Sequence, residues 1–331
     1  MRVVLVLSTS HRIFFESFEE AFKDLKIEMS CFWFNVEGSV SQQREELLKL
    51  IRQEHINQLL VLNDLHDGKE HLVDKEVMQT IPSFLWYLDT MRFDKLNNQD
   101  IKQYKQIYSF EPQDISYCQN RYQVTIKYLP LTAGYSLFCS QRGTQKKKIY
   151  DVSFVGMVNG LPERQAVLNL VAKHCAKKHY KLIVYGKLWH SHHFYQRLLG
   201  AIKFCLTYPD LFKFAHNKYL QPKEAAELYK QSKINLNIHI AKHSSINCRT
   251  FEILGNGNFE LCDDRNLSLT ELVDGQHLVL YKSGQDLLDK IDYYLESNER
   301  ERIAQAGGEL VNKKYLLSKT LRVIFPGTEE L

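Results

Sequence analysis

The sequence predicts an α/β protein of two domains, each a parallel sheet covered by helices. Three observations predict it. Short apolar runs bounded by polar turns alternate with amphipathic helical stretches. The alternation lapses over residues 131–150, where Gly, Ser, Gln and Lys gather, and then restarts. Finally, 331 residues exceed one ordinary core and suit two. Hydrophobic residues at 44% and charged residues at 25% are average for a globular chain, so order is expected throughout.

Taken in order, the first half reads as strand RVVLVLS, then a helix with Phe14, Phe18, Ala21, Phe22 and Leu25 on one face. A helix around Leu47, Leu48 and Ile51 follows, then strands QLLVLN (58–63), SFLWYLD (83–89) and VTIKYLP (124–130). The second half reads as strand DVSFVGM (151–157), helix 162–178, strand KLIVYG (181–186) and a helix from about Phe194. Helix 222–232, strand KINLNIHI (233–240), helix RTFEILG (249–255) and strands FELC (259–262) and HLVLY (277–281) complete it. Pro162 and Pro222 stand at helix starts, where a fixed φ helps. Residues 299–325 are helical in pattern. The expected domains are 1–140, 141–310 and a helical tail, 311–331, packing back on the first.

No stretch approaches the roughly 20 apolar residues that span a bilayer, and MRVVLVLSTSHR reads as a buried strand rather than a signal peptide. The seven cysteines are odd in number and scattered, without Cys-x-x-Cys, which points to reduced thiols in the cytoplasm. A net charge of +4 falls short of a nucleic-acid binder and suits anionic substrates or peripheral contact with an anionic membrane surface. Lys146, Lys147 and Lys148 form the densest basic run and read as a solvated hinge.

Strand KINLNIHI runs into the loop AKHSSIN and then a helix opening near Arg249. A helix N-terminus preceded by Ser244, Ser245 and Asn247 offers backbone N–H groups and a dipole to a phosphate. Arg249 adds a charged donor, and Glu252, three residues on along the same face, can accept from ribose hydroxyls. The alternative is a capped helix with a solvated ion pair, and from physics alone the two readings are even. Gly255-Asn256-Gly257 reads as the helix end.

The stretch from SKINLNIHI through RTFEILGNG and DGQHLVLY to ERERIAQAGGELV resembles the C-terminal domain of the spore-maturation-protein-like glycosyltransferases, a GT-B group. DVSFVGM and KLIVYGKLW resemble the first strands of the same domain; FLWYLDTMRFDK, IYSFEPQDISY and IKYLPL resemble the partner domain more loosely. The resemblance implies two Rossmann-like, doubly wound domains facing a central cleft, and transfer of a sugar from a nucleoside diphosphate sugar to a hydroxyl-bearing acceptor without a bound metal or further cofactor. The acceptor would be a glycan, a lipid-linked molecule or a protein, in surface glycan or glycoconjugate synthesis. Arg249 then meets the donor phosphates and Glu252 the ribose. Many retaining relatives carry another Glu eight positions before the ribose-binding one; Ser244 stands there, which leaves inversion or retention open.

The same resemblance brings Gly156, Lys187, Trp189 and His239 to the donor: Gly156 for close backbone approach, Lys187 for the diphosphate, Trp189 for the base. Each has an ordinary alternative as a turn glycine, a surface lysine, a packing ring or a hydrogen-bonded structural imidazole. His190, His192 and His193 lack an acidic or Cys partner at metal-ligand spacing, so no metal site is expected. Asp89, at a strand's C-terminal end, and His11, after the first strand, are the candidate bases for the acceptor. A nucleotide-sugar epimerase of this architecture, or a binding module without turnover, are the rival readings.

Overall fold

The computed structural model describes residues 1–93, 98–139, 147–189 and 193–327. The chain divides into two compact units: Met1–Gly134 with Leu316–Leu331, and Tyr135–Tyr315. The break at Gly134 lies within the stretch 131–150, of which 140–146, including Lys146, fall outside the described residues. Lys147 and Lys148 are exposed.

Unit 1 carries six parallel strands: β1 (Arg2–Ser8), β2 (Glu28–Phe34), β3 (Gln58–Leu62), β4 (Ser83–Tyr87), β5 (Gln106–Ser109) and β6 (Lys127–Tyr128). Their order is β2-β1-β3-β4-β5-β6. Sheets of this kind are covered on both faces, so their strands read as continuous apolar runs rather than alternating ones. Accordingly Val3 to Leu7 of β1 are inaccessible, and every residue of β4 is buried. Helix Val40–Gln53 is capped by the Ser39 hydroxyl and turns Leu47, Leu48 and Ile51 to the core. Helix Leu317–Ile324 returns to this unit, packing on helix Phe15–Asp24, and the Phe325 ring lies 5.8 Å from that of Phe22 and 5.7 Å from that of Phe84.

Unit 2 repeats the plan with β7 (Tyr150–Val155), β8 (Leu182–Tyr185), β9 (Ala215–His216), β10 (Ser232–Asn237), β11 (Glu260–Asp263) and β12 (Val279–Tyr281). All pairings are parallel and the order is β12-β11-β10-β7-β8-β9. Helix Glu299–Lys314 packs on helix Cys248–Gly255 with backbones nearly touching: a Cβ on Gly308 would sit 2.9 Å from the Leu254 carbonyl oxygen.

Both sheets are Rossmann-like, and each reverses its strand order once, between β1 and β3 and between β7 and β10. Such a reversal opens a crevice at the carboxyl ends of the strands, where ligands of open α/β sheets bind. Three strands were not expected from the sequence, β2, β5 and β9. The strand expected over 124–130 shrinks to Lys127–Tyr128, and that over 233–240 stops at Asn237, releasing His239 into the following loop. Among the described residues no helix is long and apolar enough to cross a membrane.

Candidate functional site

At the reversal in unit 2, β7 and β10 run side by side. Arg164, near the start of helix Pro162–Lys178, is buried there. Its guanidinium donates to the Met157 carbonyl at 2.6 Å and to the Ile238 carbonyl, tying the two strand ends together. Burial, then the charge of Arg249, pulls its pKa down to about 10. Gly156, which follows β7, meets Gly186 after β8 at very short range: a Cβ on Gly186 would fall 1.7 Å from the Gly156 carbonyl oxygen, so only glycine fits.

Helix Cys248–Gly255 starts from the same edge. Asn247 is its N-cap, the side-chain oxygen accepting from the Arg249 N–H at 3.0 Å. The Asn247 amide also exchanges hydrogen bonds with Asn237 at the end of β10. The helix ends at Gly255 with Gly257 at φ +69° just beyond, the expected stop. Arg249 and Glu252 share one face, both half-buried. The Tyr229 hydroxyl accepts from Arg249, whose Nε is buried without a partner. Burial raises the pKa of the Glu252 carboxyl, opposed by Arg249 and by the Cys248 thiol.

His239 is held on both ring nitrogens. Nδ1 lies 2.7 Å from an Asp263 carboxylate oxygen and Nε2 accepts from the Asn247 N–H at 3.1 Å. That pair of bonds fixes the neutral tautomer with the proton on Nδ1, and burial lowers the pKa below the ordinary 6.5. His239 thus braces the loop that leads into helix Cys248–Gly255. Burial would raise the Asp263 pKa, but His239 and Arg265 hold it below the usual carboxylate range. Arg265 donates to Asp263 at 2.5 Å and to the His243 carbonyl at 2.9 Å.

The edge therefore gathers Arg164, Arg249 and Arg265 against Asp263 and Glu252. The buried Nε of each arginine lacks a partner. The balance is positive, the field an anion needs. His239, Cys262 and Asp263 bring possible metal-ligand atoms within 4.8 Å of one another. Within the group the facing atoms, His239 Nδ1 and Asp263 Oδ1, are joined to each other by the 2.7 Å hydrogen bond. Behind the helix, Glu260 is wholly buried, one oxygen accepting from Asn237 at 2.8 Å and Thr250 at 2.9 Å, the other without a partner. Burial raises its pKa to about 7.

Not every candidate joins this group. Ser245 is buried in the loop. Lys187 is exposed beyond β8, one strand further from the reversal; its carbonyl takes the Val158 and Asn159 N–H groups at 3.0 and 2.8 Å. Among the described residues no hydrogen bond or ion pair links it to Arg249. Trp189 is engaged in packing, its ring 5.2 Å from Phe204 and 5.8 Å from Phe212. His190 and His192 lie outside the described residues, and His193 precedes helix Phe194–Thr207. Arg164, Asp263, Arg265 and Tyr229 were missed in the sequence because they come from separate elements. The one signal was a buried-strand sequence ending in Asp263-Asp264-Arg265.

The reversal in unit 1 is a pocket of about 300 Å³ lined by His11, Asn63, Asp64, His66 and Asp89 among others. Asn63 ends β3 at φ +62°, its side-chain oxygen accepting from Leu88 N–H at 2.7 Å and Asp89 N–H at 3.3 Å. That orientation turns the amide nitrogen to His11 Nε2 at 3.1 Å, so Nε2 accepts and Nδ1, 3.3 Å from the Ser10 hydroxyl, carries the proton. Burial lowers the His11 pKa, partly offset by the Asp89 charge. Asp89 is exposed, and its carboxylate accepts from the Thr90 N–H at 2.8 Å.

Residues 164–325 match the glycosyl transferase-like family. No curated protein matches the chain in sequence. Solved structures of the same fold include sucrose-phosphate synthase from Thermosynechococcus elongatus, at 10% identity and a TM-score of 0.68 with 98% of each chain covered. A glycosyltransferase from Rickettsia africae aligns at 11% identity and TM-score 0.64, covering 98% of this chain and 96% of its own. The Anabaena protein HepE, solved with UDP and glucose, aligns at 9% identity and TM-score 0.64 over 98% of both chains. At such identities the likeness is one of fold, the GT-B fold.

Proposed function

We propose, for a chain whose residues 164–325 match the glycosyl transferase-like family and whose fold is GT-B, transfer of a sugar from a nucleoside diphosphate sugar to a hydroxyl-bearing acceptor. The observation that carries this reading is the Arg249–Glu252 face at the N-terminus of helix Cys248–Gly255, set at the strand-order reversal of unit 2. The helix dipole and Arg249 meet the diphosphate, and Glu252 takes the ribose. As the sugar departs, the charge growing on the diphosphate is met by groups already in place, with Arg164 and Arg265 adding to the field. These guanidinium groups supply the positive charge without a bound metal. Asp89, exposed at the edge of unit 1, is the base for the acceptor; His11, with both ring nitrogens engaged, is the lesser candidate. Lys187 is left as a contact to the outer phosphate. The acceptor is a glycan, a lipid-linked molecule or a protein, in glycoconjugate synthesis in the cytoplasm, where scattered cysteines without a Cys-x-x-Cys pair suit reducing conditions.

Calorimetry with UDP and uridine tests the donor site. Arg249→Ala removes a charged donor and weakens UDP by roughly 10- to 150-fold while sparing uridine. Glu252→Gln weakens both. If both variants, folded by thermal melt, bind UDP as tightly as the parent, the assignment is wrong. Product analysis with donor alone separates transfer from epimerisation, which needs no acceptor.

A further inference from the structure

Helix Phe194–Thr207 carries two apolar faces where a surface helix ordinarily has one. Its core-facing side is marked by Phe204, buried against Trp189 and Tyr208. At about 100° per residue, Tyr195, Leu198, Leu199, Ile202 and Leu206 form a second stripe roughly opposite Phe204. Their exposures are 77%, 50%, 66%, 48% and 79%, so the stripe is open to solvent. A contiguous exposed patch of this kind marks an interaction surface.

The charges decide the partner. The helix contains no Asp or Glu; Arg197 and Lys203 are its charged residues, and both are exposed. The acid that follows it, Asp210, is paired with Lys213 at 2.9 Å. Two copies of this chain meeting through the stripe would set Lys203 of each against a helix that offers no acid to neutralise it. By the same count Lys203 borders the stripe and Arg197 falls on the Phe204 side; an apolar stripe that starts at a tyrosine, on a helix whose charges are all cationic, is instead the pattern of a helix lying in the surface of an anionic bilayer. We propose that helix Phe194–Thr207 docks the protein on an anionic lipid surface, the leucines entering the acyl boundary, Lys203 reaching the headgroups beside them and Arg197 adding positive charge from the other side of the helix. This stands apart from the donor reading, since none of these residues belongs to the Arg249 edge.

Flotation of the full chain with vesicles tests it, using phosphatidylcholine alone and with roughly one part in three phosphatidylglycerol. The parent should float with the anionic vesicles and release at high salt. The paired change Leu199→Asp with Leu206→Asp should reduce binding at least about tenfold, since each leucine buries apolar area on docking. Both sites are exposed, so the thermal midpoint should hold. The pair Arg197→Gln with Lys203→Gln should weaken binding to anionic vesicles while leaving UDP affinity unchanged. Failure of the parent to float, or binding indifferent to both pairs, overturns the proposal. So does sedimentation velocity showing a parent dimer that the leucine pair dissolves without any vesicle binding, which would assign the stripe to a second copy.

Discussion

The two units share one strand plan but use its reversal point differently. In unit 1 the reversal between β1 and β3 is an open pocket, bridged by neutral hydrogen bonds from Asn63 to His11. In unit 2 the reversal between β7 and β10 is bridged by a buried arginine and walled by paired charges. A pocket bridged by neutral hydrogen bonds, with the Asp64 and Asp89 carboxyl groups in its wall, can accommodate varied hydroxyls at little cost. A preorganised cationic edge is committed to an anion, because its charges are already desolvated and oriented. The same fold thus carries an adaptable site and a fixed one, and the difference lies in what closes each reversal.

The largest test of that contrast is Asp263→Asn. It leaves Arg265 and its arginine neighbours without their carboxylate and His239 without its charged acceptor; for a half-buried pair the loss should reach about 3 kcal/mol, the lower end of the range for buried pairs, read by urea unfolding. A loss below 1 kcal/mol would show that the edge of unit 2 is no more committed than that of unit 1.

Next comes pH. The Glu260 carboxyl, raised from 4.5 to about 7, stays neutral in the folded state where the unfolded chain would ionise it. Its contribution to stability is full below pH 4.5 and drains as pH rises through 7, on the order of 3 kcal/mol. The lowered histidines His11 and His239 act oppositely, their contribution being full above 6.5 and lost as pH falls. Glu260→Gln should therefore raise the melting temperature at pH 8 and change it little at pH 5. An equal effect at both pH values would mean that Glu260 is ionised in the fold.

Asp89→Asn should lower turnover by roughly 10²-fold while leaving UDP affinity intact and stability within about 0.5 kcal/mol. Unchanged turnover removes Asp89 from the chemistry. The smallest effect is expected for Asn63→Ala, about 1–2 kcal/mol, from two N–H groups losing their acceptor and a left-handed backbone losing a residue that tolerates it.

What the sequence disclosed depended on how local the signal was. The buried runs RVVLVLS and SFLWY and the cap-to-helix order Asn247, Arg249, Glu252 each sit in one short stretch, and each reads directly. Strand β2 was hidden because it is an edge strand whose residues are mostly half-buried, so EMSCFWF shows neither a continuous apolar run nor clean alternation. Arg164 and Arg265 reach the edge only through the pairing of β7, β10 and β11, which no single window contains. Trp189 shows how two readings share one stretch: following a strand end invites a ligand reading, and its ring also packs beside Phe204 and Phe212.

The return of helix Leu317–Ile324 to unit 1 orders events during synthesis. Phe325 completes the apolar layer between Phe22 and Phe84, the Thr320 hydroxyl meets that of Thr132 at 2.9 Å, and Tyr108 donates to the Val323 carbonyl at 3.3 Å. None of these can form until residues 320–325 have left the ribosome. The first unit to be translated is therefore the last to be finished, and all of Tyr135–Tyr315 can fold while the earlier sheet still waits for its final helix.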